Sequence, residues 1–67
     1  MIEVTVNGQA QQIEGPMSVA ALLEIVEIPG PYLAVELNED VVPREHHGDQ
    51  QVAAGDRIEV VTLVGGG

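Results

Sequence analysis

Sixty-seven residues make one domain at most, and the absence of cysteine excludes disulfides, thiolate zinc sites and a nucleophilic thiol, so stability must come from packing the 45% of residues that are hydrophobic. Eleven acids against Arg44 and Arg57 give a net charge of −9, which repels phosphate backbones, argues against nucleic-acid binding and favours encounter with a basic protein surface. No apolar stretch approaches the roughly 20 residues of a membrane span. Met1-Ile2-Glu3-Val4 carries neither the basic nor the apolar region of a signal peptide, so the expectation is a cytoplasmic protein with no membrane partner.

Ile2, Val4 and Val6 alternate with Glu3, Thr5 and Asn7, the period-two pattern of a half-buried strand. Asn7-Gly8 supplies the two positive-φ positions of a type I′ hairpin turn. A polar return strand from Gln9 to Glu14, anchored by Ile13, reads as an edge strand. After Gly15-Pro16, Ser18 is a helix N-cap, with Met17 and Leu22 at the positions of a hydrophobic staple. Val19, Leu22, Leu23 and Val26 form a buried stripe at helical spacing, and Pro29-Gly30-Pro31 ends a helix of about 10 residues.

Tyr32 to Leu37 is a second extended run, with Leu33, Val35 and Leu37 on one face. Asn38-Glu39-Asp40 turns the chain into an extended Val41-Val42. Pro43 suits the first turn of a short surface helix through Arg44, Glu45, His46 and His47, closed by Gly48. Ala54-Gly55-Asp56 is a further turn, and Arg57 to Val64 forms the last strand. A helix of this length must pack across one face of a sheet built by strands on both sides of it in sequence. Placing the most apolar first and last strands side by side and parallel, with the helix in the crossover, gives an α+β β-grasp fold: a mixed sheet of four to five strands with one main helix. The predicted core is Ile2, Val4, Val6, Leu22, Leu23, Val26, Leu33, Val35, Leu37, Ile58 and Val60. Residues 1–64 form the domain, and residues 65–67 a flexible C-terminal glycine tail.

In the last strand, Ile58 and Val60 should face the helix because that parity sends Glu59 to water. Val61 and Leu63 then point to the open face of the sheet, where two apolar side chains beside the tail offer a docking patch. Gly65-Gly66-Gly67 lacks Cβ atoms and can thread a narrow channel, reaching about 10 Å when extended. A free carboxylate is a poor acyl donor, and adenylation would convert it to a mixed anhydride with a good leaving group. No helix follows the glycines, so they form no phosphate loop. His46, His47 and Asp49 do not make a metal site, because adjacent side chains on a helix diverge by about 100°. Arg44 reads either as half of a surface ion pair or as a docking contact.

The opening strand with Asn7-Gly8, the Leu37-Asn38 turn, Val42-Pro43-Arg44-Glu45, Ala54-Gly55-Asp56 and the terminal glycines together resemble the ubiquitin-like sulfur carriers, most closely the thiamine-pathway (ThiS) branch, over the whole chain. The resemblance implies a co-substrate rather than an enzyme, with no bound cofactor. An E1-like adenylating enzyme would use ATP to activate Gly67. A sulfur donor system would displace AMP and leave a thiocarboxylate, and thiazole synthase would receive the sulfur for the thiazole of thiamine. Gly65 and Gly66 would give access, while Arg44, Val61 and Leu63 would serve docking. Two features depart from the family pattern: His47 stands where the family often has a bulky aromatic, and three glycines end the chain where the family hallmark is two. Carriers for molybdopterin synthesis, commonly longer, protein-conjugating modifiers, and a β-grasp binding module that never carries sulfur are the competing readings.

Overall fold

In the computed structural model, which describes residues 1–28 and 31–62, Asn7 and Gly8 take φ values of 50° and 82°. They fold β1 (Ile2–Val6) back onto β2 (Gln9–Ile13) in an antiparallel hairpin pairing Ile2 with Ile13 and Val6 with Gln9. Asn38 and Glu39, at 52° and 76°, do the same between β4 (Tyr32–Leu37) and β5 (Asp40–Val42). The last strand, β7 (Arg57–Thr62), enters between the two hairpins, parallel to β1 and antiparallel to β4. The resulting five-stranded order is β2-β1-β7-β4-β5, with the polar β2 at one edge. Two residues of β3 (Met17–Ser18) pair with β6 (Gln51–Val52) in a separate small sheet that the sequence pattern did not reveal.

Helix α1 (Val19–Ile25) begins where Ser18 Oγ accepts the Ala21 amide at 3.1 Å. Its first free amides are also satisfied: Val19 donates to the Gln50 carbonyl at 2.9 Å and Ala20 to the His47 carbonyl at 2.8 Å. The helix is seven residues long, shorter than expected. Val26 already takes extended angles, which keeps its β-branched side chain buried while the chain approaches Ile28, a residue barred from helical angles by Pro29. Residues 29 and 30 lie outside the described part. Among the described residues, no helix is long and apolar enough to cross a membrane.

Val19 and Leu22 from the helix and Val26 just after it meet Val4, Val6, Ile13, Val35, Leu37, Val42, Val52, Ile58 and Val60 in one core, with Ile2 and Leu23 partly buried at its margin. Leu33 departs from the predicted core and is 56% exposed. Tyr32 pairs with Thr62 and Ala34 with Val61, so Leu33 is the extra residue of a bulge and drops out of the alternation that buries Val35 and Leu37. Tyr32 takes the inward position instead.

Candidate functional site: the root of the glycine tail

The tail follows β7, so the residues that hold the end of β7 define the site. On one flank, β1 pairs with β7 only as far as Val6 opposite Ile58. The Asn7 amide donates to the Ile58 carbonyl at 2.9 Å, and then the left-handed turn carries the backbone away. The Asn7 side chain continues the ladder in its place: Oδ1 accepts the Val60 amide at 2.7 Å. On the other flank, β4 accompanies β7 to the Tyr32–Thr62 pair.

Tyr32, the first residue of β4, is held from two sides. The Arg44 guanidinium donates to its carbonyl at 3.0 Å and lies over its ring, 4.6 Å from the centroid. His47 stacks on the same ring, with centroids 6.2 Å apart and planes at 27°. Its Nε2 bonds the Val42 carbonyl at 3.0 Å, and only 7% of the residue is exposed. Two expectations are corrected here. His47 does not sit on a surface helix but is buried between Tyr32 and Val42, so its ring is a packing group. Arg44 makes no ion pair among the described residues; the pairs found there are Arg57 with Glu39 and His46 with Asp49. The 3-10 helix Arg44–His46 leaves His46 exposed while His47 turns inward, so the two imidazoles diverge.

The predicted parity of β7 agrees with the structure: Ile58 and Val60 are buried, Glu59 is exposed, and Val61 stands 42% exposed on the open face. Glu36 and Glu59 face each other across β4 and β7, with Val41 next in the row on β5, so apolar and acidic groups share that face. Arg44 is not part of this patch, because it engages a ring that packs on the core side of the sheet. Leu63, Gly65, Gly66 and Gly67 lie outside the described residues. An open groove of about 310 Å³ lined by Leu37, Val41, Val42, Pro43 and His46 sits beside the Leu37–Ile58 pair, at the other end of β7 from Thr62. Sequence reasoning missed the roles of Asn7 and Tyr32 at the site. Asn7 carries a turn signal that masks its second use, and Tyr32 reads only as the start of an extended run.

A mixed sheet with a parallel central pair, crossed by one helix, defines the β-grasp class. The fold agrees with the crystal structure of the thiamine biosynthesis protein ThiS from Geobacter metallireducens at a TM-score of 0.81 and 33% identity, covering 98% of this chain and 100% of that one. Residues 4–67 match the model of the ThiS family, and the chain belongs to that family of ubiquitin-like sulfur carriers. It is 30% identical to the sulfur carrier protein ThiS of Escherichia coli K12, over 98% of this chain and 100% of that protein. It is also 32% identical to a thiazole synthase from Paramagnetospirillum magneticum, where the match covers 98% of this chain but spans only 20% of the relative's length.

Proposed function

We propose that this chain is a sulfur carrier for thiamine biosynthesis, acting as a co-substrate through the carboxylate of Gly67. The observation that carries the reading is the family match running through residue 67, which includes all three glycines that follow β7. An E1-like enzyme binds ATP, and the Gly67 carboxylate attacks its α-phosphorus. Pyrophosphate leaves, and an acyl adenylate forms. A persulfide sulfur of a donor system then attacks the carbonyl carbon and expels AMP, leaving an acyl persulfide. A thiol of the donor system attacks the donor's sulfur in that S–S bond, forms a disulfide and leaves the Gly67 thiocarboxylate. The carrier supplies no catalytic side chain and no cofactor; ATP belongs to the activating partner. Thiazole synthase is the proposed acceptor. The similarity of this chain to a segment of a longer protein of that name supports a carrier working beside a synthase. Reliance on ATP and reduced sulfur suits a cytoplasmic setting. Val61 and Leu63 are the proposed apolar docking contacts, and the surface charge of −9 favours a basic partner face.

Incubation with a matched activating enzyme, ATP and a sulfur source tests the reading. Intact-protein mass spectrometry should show one oxygen replaced by sulfur, and fragmentation should assign it to Gly67. Removing Gly67 shortens the reach by about 3.5 Å and should slow loading, since Gly66 then presents a similar carboxylate. Removing Gly66 and Gly67 together should abolish loading with the fold intact. Full loading of the double deletion refutes the mechanism, and a wild-type chain that binds partners without ever being modified identifies a binding module instead.

A further inference from the structure

The segment from Arg44 to His47 acts on one residue, Tyr32, that packs on the core side of the sheet. β5 ceases to pair at Val42 opposite Val35, where Pro43 leads the chain into the 3-10 helix Arg44–His46. The outer flank of β4 ahead of Val35 would therefore be bare backbone. Arg44 covers it, with one N–H on the Tyr32 carbonyl and the guanidinium plane over the Tyr32 ring, while His47 supports that ring by stacking. Tyr32 is the first residue of β4, and its partner Thr62 is the last described residue of β7. Paired strand ends open readily, since few contacts hold them. Here the opening would release Tyr32 and Thr62.

We propose that Arg44 is a positioning residue: by fixing Tyr32 it closes the β4–β7 pair at the Tyr32–Thr62 rung and so steadies the strand that precedes the glycines in sequence. On the sulfur-carrier reading the Gly67 carbonyl must be aligned in a partner's active site, and small misplacements of a reacting group are expensive in rate. The consequence for transfer rests on the sulfur-carrier reading, whereas the clamp itself does not.

The test uses the full chain with Arg44→Gln, Arg44→Lys and Tyr32→Phe, the last keeping both the ring and the carbonyl. The Val60 amide points to Asn7, so alternation turns the Val61 amide toward β4. Hydrogen exchange at Val61, measured against Val4 and Val6 as references for global opening, therefore reads the clamp in the free protein. Arg44→Gln should speed Val61 exchange about tenfold relative to the references, the combined effect of one hydrogen bond and one cation–π contact. Arg44→Lys should fall between it and wild type, and Tyr32→Phe should match wild type. In adenylation assays, Arg44→Gln should lower the rate at saturating carrier about tenfold, with the half-saturating concentration nearly unchanged. Unaltered Val61 exchange, or equal acceleration at Val4, Val6 and Val61, overturns the clamp. A raised half-saturating concentration with an unchanged saturated rate makes Arg44 a partner contact and overturns the positioning role. Failure of the wild-type chain to load at all would refute the sulfur-carrier reading and with it the transfer consequence, while the exchange measurement would still decide the clamp.

Discussion

Leu22→Ala is the sharpest probe of how this small core is held. Leu22 is fully buried and is among the largest such side chains in the protein. The substitution removes three carbon groups, worth about 2.4 kcal/mol at roughly 0.8 kcal/mol each. The cavity adds to this, because the surroundings can close only in part. Val4, Val19, Val35, Val52 and Ile58 are fully buried as well, and the helix start is tied to the Gln50 and His47 carbonyls. α1 therefore cannot settle freely onto the sheet. A total of about 3 kcal/mol follows, within the usual span of about 2–5 kcal/mol. Urea unfolding followed by circular dichroism reads it. With a slope near 1 kcal/mol per molar, the midpoint should fall by about 3 M. For a 67-residue chain, whose total stability is of order 3–10 kcal/mol, that is a large share. Should the variant be largely unfolded in buffer, a protecting osmolyte brings the transition back into range for both proteins. Leu23→Ala, at a partly buried neighbour, should lose only about 1 kcal/mol. A Leu22→Ala midpoint within 1 M of wild type, or an equal loss at Leu23, would refute this account of the core.

Two further outcomes are expected. Glu39→Gly should stabilise the fold by about 0.5 kcal/mol and so raise the urea midpoint by about 0.5 M, because Glu39 holds a left-handed φ of 76° that glycine adopts freely. Its exposed pair with Arg57, at 3.5 Å, contributes little; an unchanged or lower midpoint would contradict this. Val61→Asp should leave the melting temperature within a few degrees of wild type while weakening binding to an activating enzyme at least tenfold. Association of the unmodified chain should slow as salt rises, and a salt-independent rate together with normal affinity of the variant would remove both the steering and the apolar patch.

Most of the fold was legible because local signals agreed with one another. Asn7-Gly8 encoded its turn, Ser18 its cap, and the alternation through Arg57–Thr62 encoded the direction in which Ile58, Val60 and Val61 point. What escaped was set by partners distant in sequence. The bulge that exposes Leu33 is a matter of register between β4 and β7, and nothing in Tyr-Leu-Ala-Val marks which residue will be skipped. β3 and β6 are two residues each and exist only through each other. His47 looked like a surface residue because its neighbours Glu45 and His46 are exposed; its burial depends on Tyr32 and Val42 arriving from another hairpin. For the site, the position and type of the glycines are the basis of the proposed chemistry, and they lie outside the described residues. The way the end of β7 is held was not legible, because it uses an asparagine side chain and an arginine in place of backbone ladder bonds.

The central strand is also the last to be synthesised. β7 fills the gap between the β1–β2 and β4–β5 hairpins, with Thr5 beside Arg57 on one side and Leu37 beside Ile58 on the other. Until it arrives, those hairpins have no common neighbour, and each keeps an open apolar edge. Pairing of the two chain ends requires closing nearly the whole polypeptide into one loop, a step that slows folding relative to a fold of local contacts. The same strand that completes the sheet carries the glycines at its end. On the sulfur-carrier reading proposed above, an enzyme that recognised the sheet would therefore act only on chains that have finished folding.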